Sequence, residues 1–161
     1  MQVFTTSPDL YISAQQLDSR RANKQIMECN QIYKAAIGET KGWKNHCVTR
    51  LWENDLKGLM WFAWACYFKL IDEGKHPMAP CTKRVDGVNV ASMAANGIQD
   101  LSSLTPSFLN LKWVTDAMKS HLLNKDEAFY SKFKWDVEKV PGYYAINKDG
   151  NWQKYSFIKV K

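Results

Sequence analysis

The chain has 161 residues, 45% hydrophobic and 24% charged, a length that buries a core without staples and a balance that excludes wholesale disorder. Lysine and arginine number 22 against 16 acidic residues, a net charge of +6 that favours partners carrying phosphate. The longest apolar stretch, Leu59 to Ile71 with Lys69 inside it, is shorter than the ~20 residues of a membrane span and reads as a core helix.

Val3 to Thr5 reads as a short strand or an extended arm, followed by a turn or helix start at Ser7-Pro8-Asp9. A helical pattern then runs from about Ser13 to Ile37. Ala22, Ile26, Cys29, Tyr33, Ala36 and Ile37 share one face, and Gly38 is the stop. Lys41 to His46 is a basic, aromatic loop in which Asn45 is placed to cap a second helix. That helix extends to about Glu73 and ends at Gly74. Pro77, Pro80, Gly87 and Gly97 break the pattern over 75–105, where loops and one short helix near Val90 to Ala95 are expected. Thr105-Pro106 reads as a cap and first helical residue for a helix to about Leu123, with a shorter one over Asp126 to Phe133. Near the end, β-rich runs flank Asn147-Lys148-Asp149-Gly150, a hairpin signal. The fold class is therefore mostly α: a compact helical bundle with a small C-terminal β-hairpin, as a single domain over 1–161.

The four cysteines form no C-x-x-C pair, no Cys/His spacing suits zinc, and the opening Met1-Gln2-Val3-Phe4 lacks a leader pattern. A cytoplasmic protein with reduced thiols is expected, with Cys29 and Cys66 as packing residues. Neither a metal nor another cofactor is expected: glycine-rich phosphate loops, H-E-x-x-H, G-x-S-x-G and acidic metal clusters are all missing from the sequence.

Three groups of residues carry candidate chemistry. Arg21, Lys24 and Glu28 lie at i, i+3 and i+7 on the polar face of the first long helix, as an amine and a carboxylate or as a solvated ion-paired face. Asp18 and Gln25 sit at the border of the apolar stripe, where polar groups need partners. Trp43, Lys44, Asn45 and His46, followed by Arg50 and Trp52, combine cations, an aromatic ring and a helix start. That set suits a phosphate and a stacked base, or else core anchors and a surface histidine. Lys112-Trp113, Lys119, His121 and Lys125 track a nucleic-acid backbone or form a solvated face.

Leu17-Asp18-Ser19-Arg20-Arg21-Ala22-Asn23-Lys24-Gln25 with Glu28, and Trp43-Lys44-Asn45-His46 with Arg50-Leu51-Trp52, resemble two motifs of the pyrimidine-dimer DNA glycosylase family. The opening Met1-Gln2-Val3-Phe4 with Ser7-Pro8-Asp9 is similar to that family's start, and Leu122-Leu123-Asn124-Lys125-Asp126 with Tyr130 to a later motif. Many members have proline where this chain has Cys47. Endonuclease V type phage glycosylases are more distantly similar, and their compact helical fold agrees with the pattern above.

The resemblance implies an amine that attacks the sugar carbon of a damaged pyrimidine nucleotide, a Schiff base, and strand cleavage by β-elimination without a metal. Lys24 or the Met1 amine would be the nucleophile and Glu28 the acid/base, with Asp18 second. Arg20, Arg21, Lys44 and Arg50 would hold phosphates, while Gln25, Trp43, Asn45 and His46 would complete the DNA or nucleotide site. Two further expectations stand beside this one: an inactive phage-type protein that sequesters a nucleotide, and a protein-binding inhibitor with a tryptophan-rich face.

Overall fold

The computed structural model describes residues 2–82, 104–139 and 142–155, and its architecture is mostly helical. The helices are α1 (Leu10–Gln15), α2 (Ser19–Ala36), α3 (Cys47–Trp52), α4 (Leu56–Asp72), α5 (Lys112–Lys125) and α6 (Glu127–Tyr130). Strands β1 (Tyr143–Ile146) and β2 (Trp152–Tyr155) pair antiparallel, with Tyr143 opposite Tyr155 and Ile146 opposite Trp152. No helix among the described residues is long and apolar enough to cross a membrane. The short helix expected near Val90 to Ala95 lies outside the described residues.

Helix α4 is the hub. Leu59, Met60, Phe62, Ala63, Ala65 and Cys66 are all at most 1% exposed, because its apolar residues cover every side of the helix. Its widest contacts are with α2 and α1. From α2 it receives Ala22, Ile26, Cys29 and Ile32, all fully buried. Ile37 was expected on that face, but it lies past the helix end and is 41% exposed.

Three helices expected to be continuous are each broken, for local reasons. Leu17 drops into the core and Asp18 turns its carboxylate onto the Arg21 amide at 3.0 Å, separating α1 from α2. The polar triplet Glu53-Asn54-Asp55 divides α3 from α4 after the buried Trp52. Thr105 does not cap a helix: its hydroxyl donates to the Pro8 carbonyl at 3.3 Å, and a 3-10 turn over Ser107–Asn110 precedes α5. Phe108 in that turn packs edge-on against Trp52, 5.1 Å between centroids.

The amino-terminal arm, residues 2–6, is buried and forms no strand. Side chains supply the partners that a sheet would otherwise provide. The Gln25 carbonyl oxygen accepts from the Phe4 amide at 2.8 Å, and its amide nitrogen donates to the Gln2 carbonyl at 3.0 Å. The Ser13 hydroxyl accepts from the Thr6 and Ser7 amides at 3.1 and 3.0 Å. The hairpin turn is built on Asn147, whose side-chain oxygen accepts from the Asp149 and Asn151 amides, both at 2.9 Å.

Gly58 shows why α4 tolerates a glycine near its start. A Cβ there would stand 2.3 Å from the Leu104 carbonyl oxygen and 3.1 Å from Pro106. Replacing a mid-helix glycine with alanine ordinarily gains up to ~1 kcal/mol. Here Gly58→Ala is expected to destabilise the fold by ~1–3 kcal/mol, the usual cost of overpacking, read as a lower urea midpoint at unchanged slope.

Candidate active site

The polar face of α2 meets the carboxyl end of α5 and the start of α6. Glu28, 8% exposed, lies at the centre. One of its oxygens accepts from the Gln2 backbone amide at 3.2 Å and from the Gln25 side-chain amide at 3.0 Å. The other faces the Lys24 amine at 3.6 Å, one helical turn away. A buried carboxylate thus joins an amine and the amino-terminal arm.

Arg21 points the other way. Its guanidinium is 2.5 Å from Asp18 and 3.6 Å from Asp126, and it lies over the Tyr130 ring at 5.3 Å. Tyr130 donates its hydroxyl to Asp18 at 2.6 Å. Burial works to raise the Asp18 pKa, but hydrogen bonds from Tyr130 and Arg21, with the charge of Arg21, hold it below the usual aspartate value. Asp18 and Arg21 therefore brace α2 against α6, and Arg21 is not free to take a phosphate as expected.

Lys125, at the end of α5, adds a further amine. Burial lowers its pKa, the positive charges of Arg21 and Lys24 act the same way, and Glu28 opposes them. His121, one turn earlier, is buried and lies 5.1 Å from the Phe4 ring. Lys119 turns to Asp116 at 3.1 Å, as does Lys112. The basic stripe expected along this helix is thus split between two faces: positions 112 and 119 project together, and 121 and 125 project away from them.

The Trp43-Lys44-Asn45-His46 loop leads into α3, which packs against α2 and β1. His46, not Asn45, caps α3: its Nδ1 accepts from the Val48 amide at 3.2 Å. Burial lowers the His46 pKa, with neighbouring positive charge, Arg50 included, acting in the same direction. Trp43 is 41% exposed and stands edge-on to the His46 ring at 5.2 Å; Lys44 is exposed beside it. Trp52 is a core anchor at 1% exposure.

Arg50, expected to hold a phosphate, is engaged by backbone carbonyls. Its Nε donates to the Ile146 carbonyl at 3.3 Å and its Nη1 to the Asn45 carbonyl, tying the loop to the hairpin. Arg20 is exposed on α2. Met1 lies outside the described residues, and among the described residues no group of three or more His, Cys, Asp or Glu is arranged to hold a metal.

The structure thus gathers Asp18, Arg21, Lys24, Gln25 and Glu28 on one helix, and it adds Tyr130, Asp126, Lys125 and His121 from α5 and α6. Spacing along one helix cannot report partners some hundred residues away. The resemblance of Leu122 to Asp126 with Tyr130 to a family motif touches Lys125, Asp126 and Tyr130, and the basic pattern along 112–125 includes His121 and Lys125.

Comparison with known proteins covers the first part of this site. Residues 1–73 match the family model of the pyrimidine dimer DNA glycosylases. The match to this family includes the arm, α1 to α4, the Lys24–Glu28 pair and the Trp43 to His46 loop, and it ends before α5 and α6. No curated protein and no solved structure matches the chain.

Two outcomes follow from these contacts. Gln25→Ala strands the buried Phe4 amide and Gln2 carbonyl, at ~1–3 kcal/mol for each unpaired group. We expect a stability loss of that order and faster hydrogen exchange of the Phe4 amide. For His121, burial pushes the imidazole down to about 3 from its ordinary 6.5, with Lys125 and Arg21 adding to the effect. The ring stays neutral when folded, whereas the unfolded chain binds a proton below 6.5. Its contribution to stability is thus complete above that value and declines as pH falls towards about 3. An NMR titration in which His121 protonates near 6.5 would contradict this burial.

Proposed function

We propose that the protein is a DNA glycosylase with lyase activity that removes damaged or modified pyrimidines through an amine nucleophile. The family match over residues 1–73 supports DNA glycosylase action on pyrimidine dimers. The observation that carries the finer reading is the Lys24 amine facing a buried Glu28 carboxylate at 3.6 Å. An amine and a carboxylate at that separation supply a nucleophile and a proton acceptor in one site.

In this reading Glu28 takes a proton from the amine, which attacks C1′ of the damaged nucleotide. The N–C1′ bond forms as the glycosidic bond breaks, and its electron pair leaves with the base, which takes up a proton. The C1′–O4′ bond then opens with protonation of O4′, giving the Schiff base. The cationic nitrogen acidifies C2′, and loss of that proton expels the 3′ phosphate and cuts the strand. Reaching C1′ requires a flipped nucleotide and bent DNA. Exposed Trp43 and Lys44, with Arg20, are suited to hold that DNA. Asp18 acts as a positioning residue through Arg21 and Tyr130. The Met1 amine is the alternative nucleophile. It follows from the arm, whose Gln2 amide donates to Glu28.

Borohydride trapping with duplex DNA carrying a thymine dimer or an abasic site tests this reading. The expected result is a covalent protein–DNA adduct, with the modified peptide naming Lys24 or the amino terminus. Glu28→Gln is expected to slow base excision by ~10²–10⁴-fold, the usual worth of a positioned proton-transfer group. Folded protein that gives no adduct with either DNA overturns the amine mechanism, and stoichiometric capture of a free nucleotide without turnover would replace it.

A further inference from the structure

On the other flank of α2, between its first turn and the end of α4, lies a cavity of about 260 Å³. Arg20, Asn23, Lys75 and His76 face it, with Leu70 and Pro77 as the apolar wall. We propose that this cavity seats a phosphate of the DNA backbone next to the damaged nucleotide. The inference rests on the DNA-acting reading above and adds to it an anchoring point in which Arg20 is joined by Lys75 and His76.

Charge is the first argument. Among the described residues neither Arg20 nor Lys75 is ion-paired, in contrast to Lys24, Lys69, Lys112, Lys119 and Lys139. Two cations at one cavity repel each other, and an anion between them removes that cost. Glu73 stands at the edge of this space: it accepts from the Ser19 hydroxyl at 2.7 Å, pairs with Lys69 and is close enough to feel the charge of Lys75, which leaves Arg20 without a carboxylate partner.

Donor chemistry and size agree. A guanidinium fork, an ammonium, an imidazole and a side-chain amide are the groups that bind phosphate oxygens. The volume falls below the ~300–1,000 Å³ of sites that enclose whole small-molecule ligands. A phosphate with some of its water fits the space.

Position is the third argument. Arg20 and Lys24 stand at i and i+4 on the exposed ridge of α2, which places their Cβ atoms about 5–6 Å apart. A phosphate held by Arg20 in the cavity therefore lies one helical turn from the amine that faces Glu28. A strand crossing that ridge would reach both.

The source of the phosphate is tested by two arms on the full chain. In the first, the dissociation constant for undamaged duplex DNA is measured against salt for the wild type, Lys75→Ala, His76→Ala and, as a charge control outside the cavity, Lys112→Ala. Loss of one phosphate contact lowers the log–log slope by about 0.9. Lys75→Ala is expected to show that drop and Lys112→Ala to keep the wild-type slope. In the second arm, inorganic phosphate is titrated while the Asn23 side-chain amide and His76 resonances are followed. The expected result is saturable shifts that Lys75→Ala abolishes.

Phosphate shifts with an unaltered DNA slope in Lys75→Ala overturn the DNA assignment and leave a free-anion site. No shifts and no slope change overturn the site altogether. A slope loss in protein that forms no borohydride adduct retains the cavity as a DNA contact while the glycosylase reading fails.

Discussion

The side-chain amide of Gln25 is the contact on which the rest of the site depends. A buried extended segment with no neighbouring strand must find partners for its backbone groups, because an unpaired buried amide or carbonyl costs as much as several ordinary contacts give. Gln25, fully buried on α2, offers one acceptor and one donor, and these bracket Phe4 and Gln2 as a paired strand would. The same amide nitrogen also reaches Glu28. One residue thus holds the arm, fixes its register on α2 and sets the orientation of the carboxylate beneath it.

Around that clamp the charges are arranged with opposite purposes. Asp18, Arg21, Asp126 and Tyr130 form a network in which Arg21 contacts both carboxylates and Tyr130 donates to Asp18, and the network joins residues more than a hundred positions apart. Such a network rigidifies the junction of α2 with α6 and orients its neighbours. The Lys24 amine faces Glu28 at 3.6 Å, and burial together with the positive charges of Arg21 and Lys24 holds the Lys125 amine below its ordinary pKa.

The two flanks of α2 differ in the groups they present. One carries the amine and carboxylate, and the other opens on the cavity between Arg20, Lys75 and His76. Arg20 and Lys24 stand on the exposed ridge between them. Exposed Trp43, edge-on to His46 at the start of α3, presents an aromatic face near the same helix. Arg50, by contrast, is engaged by carbonyls of the loop and of β1 and ties the two together.

Local sequence determined a good deal of this protein. The 3.6-residue spacing of Ala22, Ile26, Cys29 and Tyr33 specified a buried helix face, the unbroken apolar run of α4 specified its central place, and Asp149-Gly150 between β-rich runs specified the hairpin. Each of these is a periodic or nearest-neighbour property that a sequence displays directly. The i, i+4 spacing of Lys24 and Glu28 likewise placed an amine beside a carboxylate. Only the tertiary structure decided which polar residues serve the fold. Arg21 and Arg50 look alike as sequence, as basic residues on helical faces, yet both are claimed by partners distant along the chain: Asp126 for one and Ile146 for the other. Burial of Glu28 and His121 is likewise settled by how the arm and α5 close over α2, since desolvation depends on what packs against a group and not on its neighbours in sequence.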